Sequence, residues 1–301
     1  MIEVRRVNGP CHLVRDPVPG LRHLGIPRGG PADRLACAVA NALAGNPGSD
    51  WCLEFALVAP VLVARATVGC AYSGPPVDLW LETGEGTRPV RVPGSFTWPA
   101  GAILRGGAFQ RGIRGYLAIS GGWIPPAPCL GAMFKVAGGM VPGALEGALR
   151  PRHLGALPGW TAPAENIRIL PGSDCTEPVA RSLGETWAVA GESDRMGIRL
   201  VGKPIPGPTV ADRLSEPVVP GTVQLPGAGL PIVLGVDGQT IGGYPRVAHV
   251  IDADMDMLGQ VRPGDRMAMR LVSLDEACNL GQERSRTTRD LVLGITAAGG
   301  W

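Results

Sequence analysis

With 301 residues, 45% of them apolar and 18% charged, the chain is long enough for one large domain or two modest ones, each with a real core. A formal net charge of +2 gives no reason to expect nucleic acid, and no run of about 18 apolar residues is present to span a bilayer. Seven scattered cysteines without a C-x-x-C pair, beside four histidines, argue against a disulfide framework or a zinc site.

The opening stretch MIEVRRVNGPCHLVRD lacks the uninterrupted apolar segment of a signal peptide, so a cytoplasmic protein with reduced, mostly buried thiols is expected. PADRLACAVANALAG then predicts a helix over Pro31–Ala44, with Leu35, Val39, Ala42 and Leu43 on one face and a stop at Gly45. Asp33 is expected in its first turn, where the helix dipole favours a carboxylate. Glu54 lies inside the apolar run WCLEFALVAP, so it either faces solvent or is buried with a partner.

Beyond it, 45 Gly and 30 Pro punctuate short β-type runs. These are APVLVARATVGCAYSG, RPVRVPG, GAILRGG, IRGYLAISGGW, ENIRILPG, TWAVAGE, GTVQLPG and LPIVLGV. A mainly β fold follows. The Pro-x-Gly turn of WPAGAILRGG and the Pro-Gly turn of VRPGDRMAMRLV, each feeding a strand, suggest two similar β units, with a seam near HLGALPGWTAPAEN. The division expected is 1–159, an N-terminal β unit with one helix, and 160–301, a C-terminal β unit ending in a helix. About eight strands per unit suit closed barrels, which leave no exposed edges. Ser273 and Glu276 in SLDEA form a capping-box pattern that opens a last helix running to about Leu293.

Four polar, glycine-bearing stretches interrupt the strand rhythm: GIPRGGPADR, ISGGW with Gly121 and Gly122, GESDRMGIRL, and VDGQTIGGYPRVAHV. The last, Val236–Val250, sets Asp237, Gln239 and Thr240 against Gly242, Gly243 and Tyr244. A tight hairpin needs only two turn residues. This longer connection suits either a bulged turn or a loop where a ligand approaches the backbone closely. In the third stretch Ser193 and Asp194 precede Arg195, which reads as a local ion pair or a site. Ser215 and Glu216 stand before Pro217 at the mouth of a strand. No Ser-His-Asp order, H-E-x-x-H, Walker loop or G-x-G-x-x-G fingerprint is visible.

The blocks GIPRGGPADRLACAVANALAGNP, IRGYLAISGGW, SDRMGIRLVG, SEPVVPGTVQLP and DGQTIGGYPRVAHVI occur in an order that resembles the biotin-dependent carboxyltransferase family. That family includes the second subunit of allophanate hydrolase, the carboxyltransferase half of urea amidolyase, the C component of bacterial 5-oxoprolinase and the antagonist of a sporulation-kinase inhibitor. The resemblance runs from about Val14 to Val272. It implies cyclophilin-like β-barrels and a second barrel subunit of the same family, with a catalytic third subunit as a further partner. It also implies a cleft lined by Gln239, Thr240, Gly242, Gly243 and Tyr244, receiving a planar amide or urea group. Such a group needs a donor for its carbonyl and an acceptor for its N–H; backbone N–H groups, Gln239 or Asp237 could supply them.

Three positions depart from the family pattern. Gly29 and Ala132 stand where serines are usual, and Asp237-Gly238 replaces Asp-Arg. The leading expectation is a subunit of an ATP-dependent amide hydrolase, most like the C component of 5-oxoprolinase, with ATP held in the complex rather than by this chain. Asp33 or Asp194 would serve as general acid or base, and Arg195, Ser193, Asp237, Glu216, Gly121 and Gly122 would line the site. A carboxyltransferase acting on urea, with biotin carried by a partner chain, is one alternative. A regulatory protein binding a kinase inhibitor is another.

Overall fold

The computed structural model describes residues 1–17, 19–126, 133–143, 147–154, 166–207 and 213–299. The seam expected at His153–Asn166 falls largely outside them, as does Ala132. The chain divides into two units, Met1–Pro17 with Asp33–Trp160 and Thr288–Trp301, and Val18–Ala32 with Thr161–Thr287. Two short segments thus depart from a contiguous division. Val18–Ala32 joins the second unit because its backbone is bonded there, Gly29 N–H to Val236 O at 2.9 Å. The end of the chain joins the first, where Ile295 is buried and its carbonyl accepts from Arg152.

In the first unit the described strands form two sheets. One runs Gly139–Val141, Ile2–Arg6, Val61–Ala64, Ile103–Gly106, Leu79–Thr83, Gly86–Val90. The other runs Met133–Lys135, Cys11–Val14, Cys52–Ala56, Arg114–Ile119, Val68–Ser73, Gly94–Trp98, Arg152–His153. Side chains alternate across a strand, and here both faces of the second sheet are buried. Leu53, Phe55, Leu117 and Ile119 enter the core shared with the first sheet. Cys52, Tyr116 and Ala118 turn the other way, onto the helix Arg34–Ala44. This double burial explains why the strands read as continuous apolar runs rather than as alternating ones.

The helix begins at Arg34, three residues later than expected. Asp33 is extended (φ −119°, ψ 99°) and its Oδ1 accepts from Ala36 N–H at 2.9 Å, so it is the N-cap rather than a first-turn residue. Gly45 closes the helix in a left-handed conformation, as the sequence suggests.

The second unit is a closed barrel among the described residues. Its order is Asn166–Pro171, Arg246–Val250, Thr222–Gln224, Ile232–Leu234, Gly197–Val201, Trp187–Val189, Arg266–Leu271. Closure comes from Arg266–Leu271 pairing parallel with Asn166–Pro171; the other pairs are antiparallel. Ile167, Trp187, Leu200, Val223, Val233, Val247 and Met269 fill its core. A two-stranded ribbon, Glu216–Pro217 against Ile241–Gly242, stands apart from the barrel ladder.

The last helix spans Leu274–Gly299, past the expected end at Leu293. Ser273 Oγ accepts from Glu276 N–H at 3.1 Å, the first half of a capping box. The Glu276 carboxylate is turned to Arg270 instead of back to the cap. Cys11, Cys37, Cys52 and Cys70 are buried free thiols. Burial, aided by the Glu54 charge, pushes the Cys11 thiol up to about 12, so it carries no thiolate chemistry.

Candidate functional site

Most of the polar residues singled out in the sequence gather in the second unit. Arg195 is the anchor. Its side chain, only 8% exposed, binds Asp237 through Nε at 2.6 Å and Nη2 at 2.9 Å, a bidentate pair. Nη2 also donates to Gly30 O at 2.7 Å. One guanidinium thus ties the segment before the first helix to the loop after Ile232–Leu234. Gly29 and Gly30 both take positive φ (63° and 87°), a conformation that glycine adopts without a Cβ penalty.

Asp237 is therefore engaged as an ion-pair partner. Of the acceptors the sequence offers, only Gln239 is left facing out. Its Nε2 donates to Gln224 Oε1 at 3.3 Å. Gln224, which the sequence pattern does not single out, lies in Thr222–Gln224 next to the core residue Val223, so it points out of the barrel. It is 1% exposed, and its Nε2 has no hydrogen-bond partner. A Cβ on Gly242 would come within 2.4 Å of that nitrogen. The only signal in the sequence is a glutamine inside an apolar strand run.

The rim around this pair is built from ion pairs. Glu216 lies opposite Gly242 in the ribbon and accepts from Arg246 at 2.7 Å and Arg213 at 3.3 Å. Arg213 also grips Asp174, at 2.9 and 2.8 Å. Burial alone would raise the Asp174 carboxyl. Hydrogen bonds from Arg213 and from the Arg246 amide outweigh it and hold the group below its usual range. Thr240 contributes its carbonyl to Val218 N–H, while Tyr244 is 41% exposed.

Other candidates have structural duties. Asp194 Oδ1 accepts from the amides of Met196 at 2.8 Å and Gly197 at 3.2 Å, closing a turn. Ser193 Oγ accepts from Arg199 N–H at 3.0 Å across the same turn.

Asp33, Gly121 and Gly122 belong to the first unit. Asp33 caps one end of the helix Arg34–Ala44, and its own N–H donates to Tyr116 Oη at 2.8 Å. Gly121 N–H is held by Asn46 Oδ1 at 2.8 Å, just beyond the helix's other end. Eleven residues at about 1.5 Å rise put some 16 Å between those ends. The structure does not bring Asp33 and the Gly121–Gly122 turn together.

The backbone of the glycine pair is ordinary. Neither Gly242 nor Gly243 has positive φ, so a side chain costs no backbone strain at either. Space separates them instead. A Cβ at Gly243 meets only Ser215 Oγ at 3.6 Å and Arg213 O at 3.7 Å. Gly243→Ala is expected within about 0.5 kcal/mol of the parent. Gly242→Ala should push the Gln224 amide off Gln239 and cost about 1 kcal/mol, the net worth of one hydrogen bond. Urea melts of the two variants check this, and equal values would remove Gln224 from the account.

Residues 24–271 match the family described as carboxyltransferase domain, subdomain A and B. The chain is 31% identical to the C component of 5-oxoprolinase from Haemophilus influenzae over 87% of this chain and 88% of that protein. It is 32% identical to the corresponding 5-oxoprolinase component of Escherichia coli over 89% and 90%. A urea amidolyase of Saccharomyces cerevisiae is 24% identical, and there the match takes in 16% of the longer protein. Among solved structures, TTHA0988 superposes with a TM-score of 0.79 at 33% identity, covering 89% of this chain and 55% of that one. The chain thus spans about half the length of that relative. Kluyveromyces lactis urea carboxylase gives a TM-score of 0.83 at 21% identity over 96% of this chain and 29% of its own, a likeness of fold. Fold, motif order and near full-length identity agree: the chain belongs to the carboxyltransferase domain family, subdomains A and B.

Proposed function

We propose that the chain is a subunit of a 5-oxoprolinase-type enzyme, in which ATP drives opening of a lactam to an amino acid. The observation that carries this reading is the match to the C component of that enzyme from two bacteria, near full length on both sides. The geometry of the second unit adds the chemistry. Gln224 Nε2 is a buried donor without an acceptor, and its Oε1 is occupied by Gln239, which fixes which way the amide faces. Gln239 keeps its own Oε1 as an acceptor. Donor and acceptor side by side complement the C=O and N–H of one planar amide.

This chain's part is orientation: it holds the lactam so that the carbonyl oxygen can be activated and water can reach the carbonyl carbon. The two carboxylates expected as acid or base are already acceptors, Asp33 for Ala36 N–H and Asp194 for two amides. On this reading the proton-transfer group is supplied by a partner. ATP belongs there too. The N-terminus of the helix Arg34–Ala44 follows a glycine pair, but the Asp33 carboxylate fills it and would repel a phosphate.

The test is to purify the chain alone and with its partner subunits, and to follow ATP hydrolysis dependent on 5-oxoproline. No turnover by the chain alone and clear turnover by the complex is the expected result. Turnover by the chain alone at the complex's rate would overturn the division of labour. A complex that ignores 5-oxoproline but carboxylates urea with biotin would replace this reading by the carboxyltransferase one.

A further inference from the structure

The charges around Gln239 do not balance. The nearby carboxylates are committed, Asp237 to Arg195 and Glu216 to Arg213 and Arg246. Arg22 reaches the same loop. Its Nη2 donates to Val218 O and, at 3.2 Å, to Gln239 O. Nη1 is buried and has no hydrogen-bond partner, and no described residue makes an ion pair with Arg22 or Arg28. Burial, with the Arg28 charge added to it, lowers the Arg22 pKa, as expected for a cation without a counter-ion. A buried guanidinium N–H left without an acceptor is costly, and so are two adjacent cations. One bound anion relieves both.

We propose that Arg22 and Arg28 form a carboxylate-binding subsite beside the Gln224–Gln239 amide pair, so that the second unit selects an amide that also carries a carboxylate. The proposal rests on the reading of the amide pair given above. It deepens that reading by naming what separates an acidic lactam from urea, which has no charge to offer. A guanidinium N–H without an acceptor, with a second cation close enough to act on it, suits a carboxylate, which accepts through two oxygens.

The experiment is calorimetric titration of the full chain, in complex with its partner subunits, using 5-oxoproline and 2-pyrrolidinone, the same lactam without its carboxylate. The parent should bind 5-oxoproline at least ~10-fold more tightly, in line with a charge-assisted hydrogen bond. Arg22→Gln should erase that preference and leave 2-pyrrolidinone within about twofold, whereas Gln239→Leu should weaken both. Arg28→Gln, on an exposed side chain, should give the same ordering at smaller size if Arg22→Gln does not fold. A folded Arg22→Gln or Arg28→Gln that keeps the full preference overturns the proposal. If neither lactam binds, the amide reading has failed, and the anion subsite is then read by itself from melting curves. A rise in Tm with acetate that disappears in Arg22→Gln sustains it. No rise, or a rise with inorganic phosphate alone, overturns it.

Discussion

Arg195→Ala is expected to destabilise the second unit by about 3–5 kcal/mol and to remove lactam binding with it. The side chains of Arg195 and Asp237 are 8% and 13% exposed, so solvent cannot take over the bonds that are lost. Removing the guanidinium leaves Asp237 buried without its counter-charge and Gly30 O without its donor at 2.7 Å. Both loops that carry the candidate site lose their common tie. Arg195→Lys should fall between, because a single ammonium cannot reproduce a fork that reaches Asp237 twice and Gly30 once. Arg195→Met with Asp237→Leu separates stability from function. Replacing both charges by apolar groups should restore much of the stability, since neither is then stranded. It should not restore binding if the ion pair sets the loop. Urea unfolding gives the first quantity and 5-oxoproline titration the second. An Arg195→Ala within about 1 kcal/mol of the parent would mean that the pair is wet and the loops hold themselves.

How much of this is visible in the sequence depends on the range of the interaction. Local signals are legible. Gly45 stops its helix, Ser273 caps the last one, and the runs bounded by glycine or proline hold strands, because caps and turns depend on neighbours a few residues away. The first helix starts three residues later than its pattern suggests. Asp33 reads as a first-turn carboxylate, and only its extended backbone shows it to be the cap. Residues joined over long separations are out of reach. Arg195 reads as a partner for the adjacent Asp194, yet its carboxylate is Asp237, 42 positions away. Nothing in GTVQLP says that Gln224 meets Gln239, and nothing in RHLGIPRGG says that Arg22 lies against Val218. A glutamine in an apolar strand run is a legible oddity; what it faces is set by register, and register is a property of the whole barrel.

Glu54 carries the second large effect, in the first unit. The run WCLEFALVAP leaves two outcomes open, and the structure gives the buried one, 1% exposed. Alternation sends Leu53 and Phe55 into the core between the sheets and turns Glu54 to the helix side, directly opposite Tyr116 in register. Tyr116 Oη donates to Glu54 Oε2 at 2.7 Å and accepts from Asp33 N–H at 2.8 Å, so the carboxylate fixes the start of the helix through one hydroxyl. Arg114 approaches the other oxygen, Nε at 3.6 Å from Oε1, and offsets the buried charge. The Tyr116 hydroxyl stays protonated across the accessible pH range: burial, then the Glu54 and Asp33 charges, push its pKa well up. Glu54→Ala should therefore cost about 3–5 kcal/mol, because it strands the Tyr116 hydroxyl and leaves the Arg114 charge facing an emptied site. Glu54→Gln keeps an acceptor for Tyr116 and loses only the charge, so about 1–2 kcal/mol is expected. Tyr116→Phe should lie in the same smaller range, since it removes one donor and one acceptor together. If the two residues act through the hydroxyl, the Glu54→Gln and Tyr116→Phe losses will not add, and the double variant will fall short of their sum by at least about 0.5 kcal/mol. Additive losses, or a Glu54→Ala that melts with the parent, would place the weight of this corner on packing rather than on the carboxylate.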